Sequence, residues 1–115
     1  STDELRIDVI EATCRHIERT AGRGVSLNAL AQLAGYSKFH FLRLFRRHTG
    51  LTVQQYIDRC RIERMHRLSQ TGQNQSAIGR ALGFSHPAAF SRWKRHMAES
   101  PAPEPRRAAA SRRSR

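Results

Sequence analysis

A repeat constrains this chain more than any other feature. Gly35-Tyr36-Ser37 recurs as Gly83-Phe84-Ser85, an offset of 48 residues. The same offset pairs Ser26 with Asn74, Leu30 with Ile78, Ala31 with Gly79 and Arg47 with Arg95. In each copy a capping residue, Ser26 or Asn74, opens a short helix, a glycine turns the chain, and a second helix follows. The repeated unit is therefore a helix-turn-helix, and the chain carries two of them. Thr52 caps a long helix between the copies, spanning about Val53 to Ser69. Val53, Tyr56, Ile57 and Cys60 share one side of it. Ile62, Met65 and Leu68 lie on a side rotated by roughly a third of a turn. One core does not need that drift. Two lobes sharing one helix do.

The other segments complete an all-α reading. Residues 3 to 19 form an amphipathic helix with a stripe of Leu5, Val9, Ala12, His16 and Ile17, and Cys14 at its edge. Asp3, Glu4, Asp8 and Glu11 sit near its positive end, and Gly22 and Gly24 end it. Val25 and Leu30 suit a hydrophobic staple. The first unit's second helix runs from Ser37 to about His48 and stops at Thr49-Gly50. Its counterpart runs from about His86 to Met97, with Pro87 in the first turn, where a missing N–H costs nothing. Phe90, Trp93 and Met97 make its inward stripe. After Ser100, PAPEPRRAAASRRSR holds no core-forming apolar residue and reads as a disordered basic tail. The expected organisation is a first lobe at 3–51, a linker helix at 52–70, a second lobe at 71–100 and the tail at 101–115.

The second helix of the first unit is apolar on two sides. Phe41, Leu44, Phe45 and His48 fall in one arc, and Phe39, Leu42, Arg43 and Arg46 in the opposite one. One stripe serves a core. The other, with two arginines, suits the DNA major groove. In the later helix Ala88, Ser91, Arg92 and Arg95 face outward in the same way. Charge follows these helices: residues 1 to 33 carry net −1, residues 34 to 100 net +9 and residues 101 to 115 net +4, within a total of +12. A polyanionic partner, most simply nucleic acid, is the natural inference.

Other classes find little support. No run of 18 apolar residues suggests a membrane span, and the charged first 20 residues do not read as a signal peptide. Cys14 and Cys60 read as small buried thiols without activating neighbours, which argues against an enzyme. Cys14-x-His16 is a poor metal signature, and the six histidines show no ligand or triad spacing. Neither a cofactor nor a metal is expected.

The run GYSKFHFLRLFRRHTGLTVQQYIDRCRIERMHRL, followed by IGRALGFSHPAAFSRWKRH, resembles the DNA-binding domain of the AraC/XylS family of bacterial transcription regulators. The resemblance covers about residues 5 to 101, with motifs in family order and spacing, and is nearest to the small stand-alone members. It implies about seven helices in two helix-turn-helix lobes, the last helix being lost here in favour of Pro-Ala-Pro-Glu-Pro. One monomer then reads two successive major-groove segments of promoter DNA, usually to recruit RNA polymerase and activate. Carried over by position, base contacts fall to Phe39, Leu42 and Arg43, and to Pro87, Ala88, Ala89, Ser91 and Arg92. Phosphate contacts fall to Ser37, Lys38, His40, Arg46, Arg47 and Arg59, and to Ser85, His86 and Arg95. The resemblance also implies a bacterial, cytoplasmic, nucleoid-associated protein.

The chain departs from the family in its second lobe. Phe90-Ser91-Arg92-Trp93-Lys94 is one residue shorter than the usual pattern, so Trp93 takes the role of a second Phe. Gln75 replaces an apolar residue. Gly79 replaces an Ala, at about 0.5–1 kcal/mol in helix propensity. A looser second lobe and a more discriminating first one are expected. Two alternatives stay open. One is a nonspecific basic nucleic-acid binder. The other is the DNA-binding piece of a longer, ligand-responsive regulator, which a chain beginning at Ser1 suits as well as it suits a processed stand-alone protein.

Overall fold

A computed structural model describes residues 2–23, 26–101, 103 and 104, with side chains from Ile7 onward. Six helices occupy the described residues: α1 Thr2–Thr20, α2 Leu27–Ala34, α3 Lys38–Thr49, α4 Val53–Gln70, α5 Gln75–Ala81 and α6 Pro87–Glu99. The expected all-α architecture holds. Val25, Gly24 and residues 105–115, which include most of the expected tail, lie outside the described residues.

The repeat is visible in the backbone. Ser26 Oγ accepts from the Ala29 N–H, and Asn74 Oδ1 accepts from the Ala77 N–H. At the first turn Gly35 adopts φ 78°, its N–H donates to Gln32 O, and the Tyr36 N–H donates to Ala31 O at 2.9 Å. At the second, Gly83 adopts φ 95°, its N–H donates to Arg80 O, and the Phe84 N–H donates to Gly79 O at 3.0 Å. Each bond in one copy has its partner 48 residues on. These are Schellman closures, and they need a left-handed residue at the glycine.

The copies differ at the next cap. Ser37 Oγ accepts from the His40 N–H at 3.2 Å and opens α3. In the second copy the cap shifts to His86, whose side chain makes no capping bond, and Pro87 begins the helix with its φ already set.

Two hydrophobic clusters share α4. The first joins Ile10, Cys14 and Ile17 of α1 to Ala31, Phe41, Phe45, Leu51 and the α4 residues Val53, Tyr56, Ile57 and Cys60. The second has Ile78, Leu82 and Phe90 at its centre, with Met65, Leu68, Phe84 and Trp93 packed against them. The drift of apolar residues along α4 is thus the passage from one cluster to the other. A capping box fixes the start of α4: Thr52 Oγ1 accepts from the Gln55 N–H, and Gln55 Oε1 accepts from the Thr52 N–H. Thr49 closes α3 from inside. Its fully buried hydroxyl lies 2.8 Å from Phe45 O and accepts from the Leu51 N–H at 3.1 Å.

Two expectations change. The buried stripe of α1 is Ile10, Thr13, Cys14 and Ile17, while Ala12 is exposed and Val9 and His16 are half-buried. The Thr13 hydroxyl donates to Val9 O at 2.9 Å, which lets a polar residue face the core. Gly79 is a fitted residue in the second lobe. A Cβ there would meet Phe90 Cδ2 at 2.9 Å and Cγ at 3.2 Å. Gly79→Ala should therefore gain about 1 kcal/mol of helix propensity and lose about 1–3 kcal/mol to overpacking against Phe90. The expected result in denaturant unfolding is a net loss. A stabilised variant would mean that Phe90 moves freely.

Candidate nucleic-acid interface

Helix α3 stands on its inner face and offers its outer one. Phe41 and Phe45 are fully buried, 6.3 Å apart between ring centroids, and Phe45 meets Tyr56 edge-on at 5.6 Å. His48 is held from below by Glu11 of α1, at 3.4 Å. With that side anchored, Phe39 is 77% exposed, and Arg43, Arg46 and Arg47 project outward. Phe39, Leu42, Arg43, Arg46, Arg47 and Thr52 line one open depression. Leu42 differs from its neighbours. It is half-buried and packs on the first cluster, so its outward share is only part of the side chain.

The second lobe presents a similar surface with different chemistry. Pro87, Ala88, Ser91, Arg92 and Arg95 of α6 are exposed, and Ala89 is half-buried. Ser85, His86, Pro87 and Ser91 border a pocket of about 170 Å³ floored by Gly79 and Phe90. Lys94 closes one side of it. Its Nζ donates to Gln75 Oε1 at 2.7 Å and lies 4.3 Å from the Phe90 ring centre. Gln75, Ser76, Arg80 and Lys94 thus belong to this surface, although nothing in the sequence singled them out as site residues. For Gln75 and Ser76 the one available signal was the polar first turn of α5.

Several residues expected to meet phosphate have other roles. Arg59 is ion-paired, with one guanidinium nitrogen 3.7 Å from Glu63 and the other 3.2 Å from Glu104. His40 is half-buried and stands edge-on to Tyr36 at 5.1 Å. Ser37 spends its acceptor on the cap of α3. Lys38, Arg46, Arg47 and Arg95 remain exposed, as do Ser85 and His86.

Two more α4 arginines work inside the molecule. The Arg64 guanidinium donates to Glu18 O and Arg19 O, both at 3.0 Å, and Arg61 Nε–H donates to Ala21 O at 3.3 Å. They cap the carbonyl end of α1, where cations are favoured. Burial lowers the Arg61 pKa from its ordinary value, and the charge of Asp58 works against that shift. Tyr56 ties the same corner by donating its hydroxyl proton to the Glu18 carboxylate.

Among the described residues no group of three or more His, Cys, Asp or Glu side chains is placed to hold a metal ion. No described helix is long and apolar enough to cross a membrane. Two capped turns, two outward cationic helices and one shared linker helix define a double helix-turn-helix module.

A family described as a helix-turn-helix domain matches residues 30–108. This chain belongs to that family, the AraC-type helix-turn-helix domains of transcription regulators, which are DNA-binding domains and not enzymes. It is 32% identical over 78 residues to the HTH-type transcriptional regulator YbfI of Bacillus subtilis (strain 168), covering 68% of this chain and 28% of YbfI. It is 32% identical over 81 residues to the probable transcription factor PqrA of Proteus vulgaris, covering 69% of this chain and 66% of PqrA. It is 32% identical over 84 residues to the HTH-type transcriptional activator Btr of Bacillus subtilis (strain 168), covering 72% of this chain and 16% of Btr. The chain thus spans from under a fifth to about two thirds of these relatives' length.

Proposed function

We propose that the chain binds double-stranded promoter DNA sequence-specifically as a monomer, reading two adjacent major-groove segments with α3 and α6. The outward face of α3 carries this reading. Phe39, Arg43 and Arg46 are exposed directly opposite the buried Phe41 and Phe45. Arg43 and Arg92 are the candidates for paired hydrogen bonds to guanine. Phe39, Ala88 and the outer part of Leu42 suit thymine methyls. Lys38, Arg46, Arg47 and Arg95 neutralise phosphates, and Ser85 and His86 lie where the backbone would approach α6. The first lobe supplies most of the discrimination, because Pro87, Ala88 and Ala89 offer few polar groups to base edges.

Selecting bound sites from a random DNA pool tests this proposal. Two short motifs at fixed spacing are expected. Recovery of unselected sequence would instead favour a nonspecific binder. Within the selected site, Arg43→Ala should cost about 1–3 kcal/mol, tenfold or more in Kd. Its effect on random duplex should be much smaller. Equal losses on both would remove Arg43 from base reading.

Activation through RNA polymerase is the regulatory outcome we propose, supported by the likeness to the activator Btr. Transcription from a promoter carrying the selected site, with purified polymerase, should rise when the protein is added. A fall would mark repression.

A further inference from the structure

The second reading helix is tied to the rest of the molecule by a polar seam. Asp58, on α4, is a carboxylate only 7% exposed. Its Oδ1 accepts from the Trp93 indole N–H of α6 at 3.0 Å and from Gln54 Nε2 at 3.1 Å. One helical turn along, Arg61 lays its guanidinium over the Phe84 ring at 4.7 Å while its Nε–H donates to Ala21 O. Phe84 and Trp93 are themselves in contact, with ring centroids 5.5 Å apart. The seam thus touches the end of α1, the linker helix, the second turn and α6. It also holds a buried carboxylate beside a half-buried guanidinium, and a buried charge is costly unless its hydrogen bonds are satisfied. An apolar contact can slide. A buried hydrogen bond with one donor and one acceptor fixes direction and register.

We propose that Asp58, Arg61 and Trp93 are positioning residues that set the angle and distance between α3 and α6, and so the spacing between half-sites that the protein accepts. This rests on the two-segment reading above. It goes beyond that reading by assigning the spacing rule to named side chains that need not touch DNA.

The test uses labelled duplexes carrying the selected site, with the stretch between its two motifs at its natural length or changed by one base pair either way. A further duplex keeps only the first motif. Binding is measured by fluorescence anisotropy for the wild-type chain and for Trp93→Phe, which keeps an aromatic ring and loses the N–H. Asp58→Leu removes the acceptor, and Asp58→Asn retains one. Wild type should bind the altered spacings about tenfold or more weakly, since one base pair moves and rotates the second half-site. Trp93→Phe and Asp58→Leu should reduce that penalty to about threefold or less, with first-motif affinity unchanged. Asp58→Asn should keep most of the penalty. Retention of the full penalty in Trp93→Phe and Asp58→Leu overturns the proposal. An equal loss at every spacing also overturns it, because the seam would then serve only second-lobe stability; amide spectra of each variant report whether that lobe is folded. A wild-type chain indifferent to spacing would instead defeat the two-segment reading.

Discussion

Replacing Ile78 by Glu should unfold the second lobe and leave the first one folded. Ile78 is fully buried, and only Leu82 and Phe90 share the buried centre of its cluster. A carboxylate there would lose its hydration inside an apolar cluster, so the expected loss exceeds about 4 kcal/mol. The first cluster has its own supports, including Ile10, Ile17, Phe41, Phe45, Leu51 and Tyr56, and its members come from α1 to α4 and the turns between them. Two-dimensional amide spectra should lose the dispersed signals of residues 74–97 and keep those of α1 to α3. Affinity for the selected site should fall to that of the first motif alone. A melting curve unchanged from wild type would show that the core of the second lobe lies elsewhere.

The second large effect concerns salt. Of the cations that the family pattern places against phosphates, Lys38, Arg46, Arg47 and Arg95 are exposed. Arg59 is engaged with Glu63 and Glu104. Four phosphate contacts imply a log–log slope of about −3.6, hence a loss in affinity of about 150-fold between 50 and 200 mM salt. Arg46→Ala should flatten the slope by about 0.9. Arg59→Ala should leave it where it is. A steeper slope that Arg59→Ala does flatten would mean that DNA displaces the two carboxylates, restoring Arg59 to the interface.

This contrast shows where sequence reasoning reaches and where it stops. Caps, turns and the repeat are local, so Ser26, Gly35, Ser37, Thr52, Asn74 and Gly83 could be read directly. The apolar drift along α4 was legible for the same reason, since helical phase needs only neighbours. The stripe of α1 slipped by one position, from Val9 to Ile10 and from Ala12 to Thr13, because a threonine reads as a poor core residue. Its burial depends on a back-bond to Val9, and the covered face of α1 depends on what the other helices bring against Ile10, Cys14 and Ile17. Arg59, Arg61, Arg64 and Asp58 each also have a partner 35 to 46 residues away. Such pairs require the register between helices, which periodicity does not supply. A charge count therefore overstates the cations available to DNA. Gly79 was misjudged for the same reason: propensity is local, and the Phe90 ring above it is not.

Helix α4 runs unbroken from Val53 to Gln70 beneath both clusters. Inserting one residue midway would turn everything beyond it by about 100° and advance it by about 1.5 Å. One added base pair turns the far half-site by roughly 35° over about 3.4 Å. No small change in operator length compensates for both at once. Among relatives that share this arrangement, the number of residues in this helix should be nearly invariant while the bases recognised at each end diversify. New specificities would then arise by exchange of side chains, and hardly ever by insertion or deletion within the shaft.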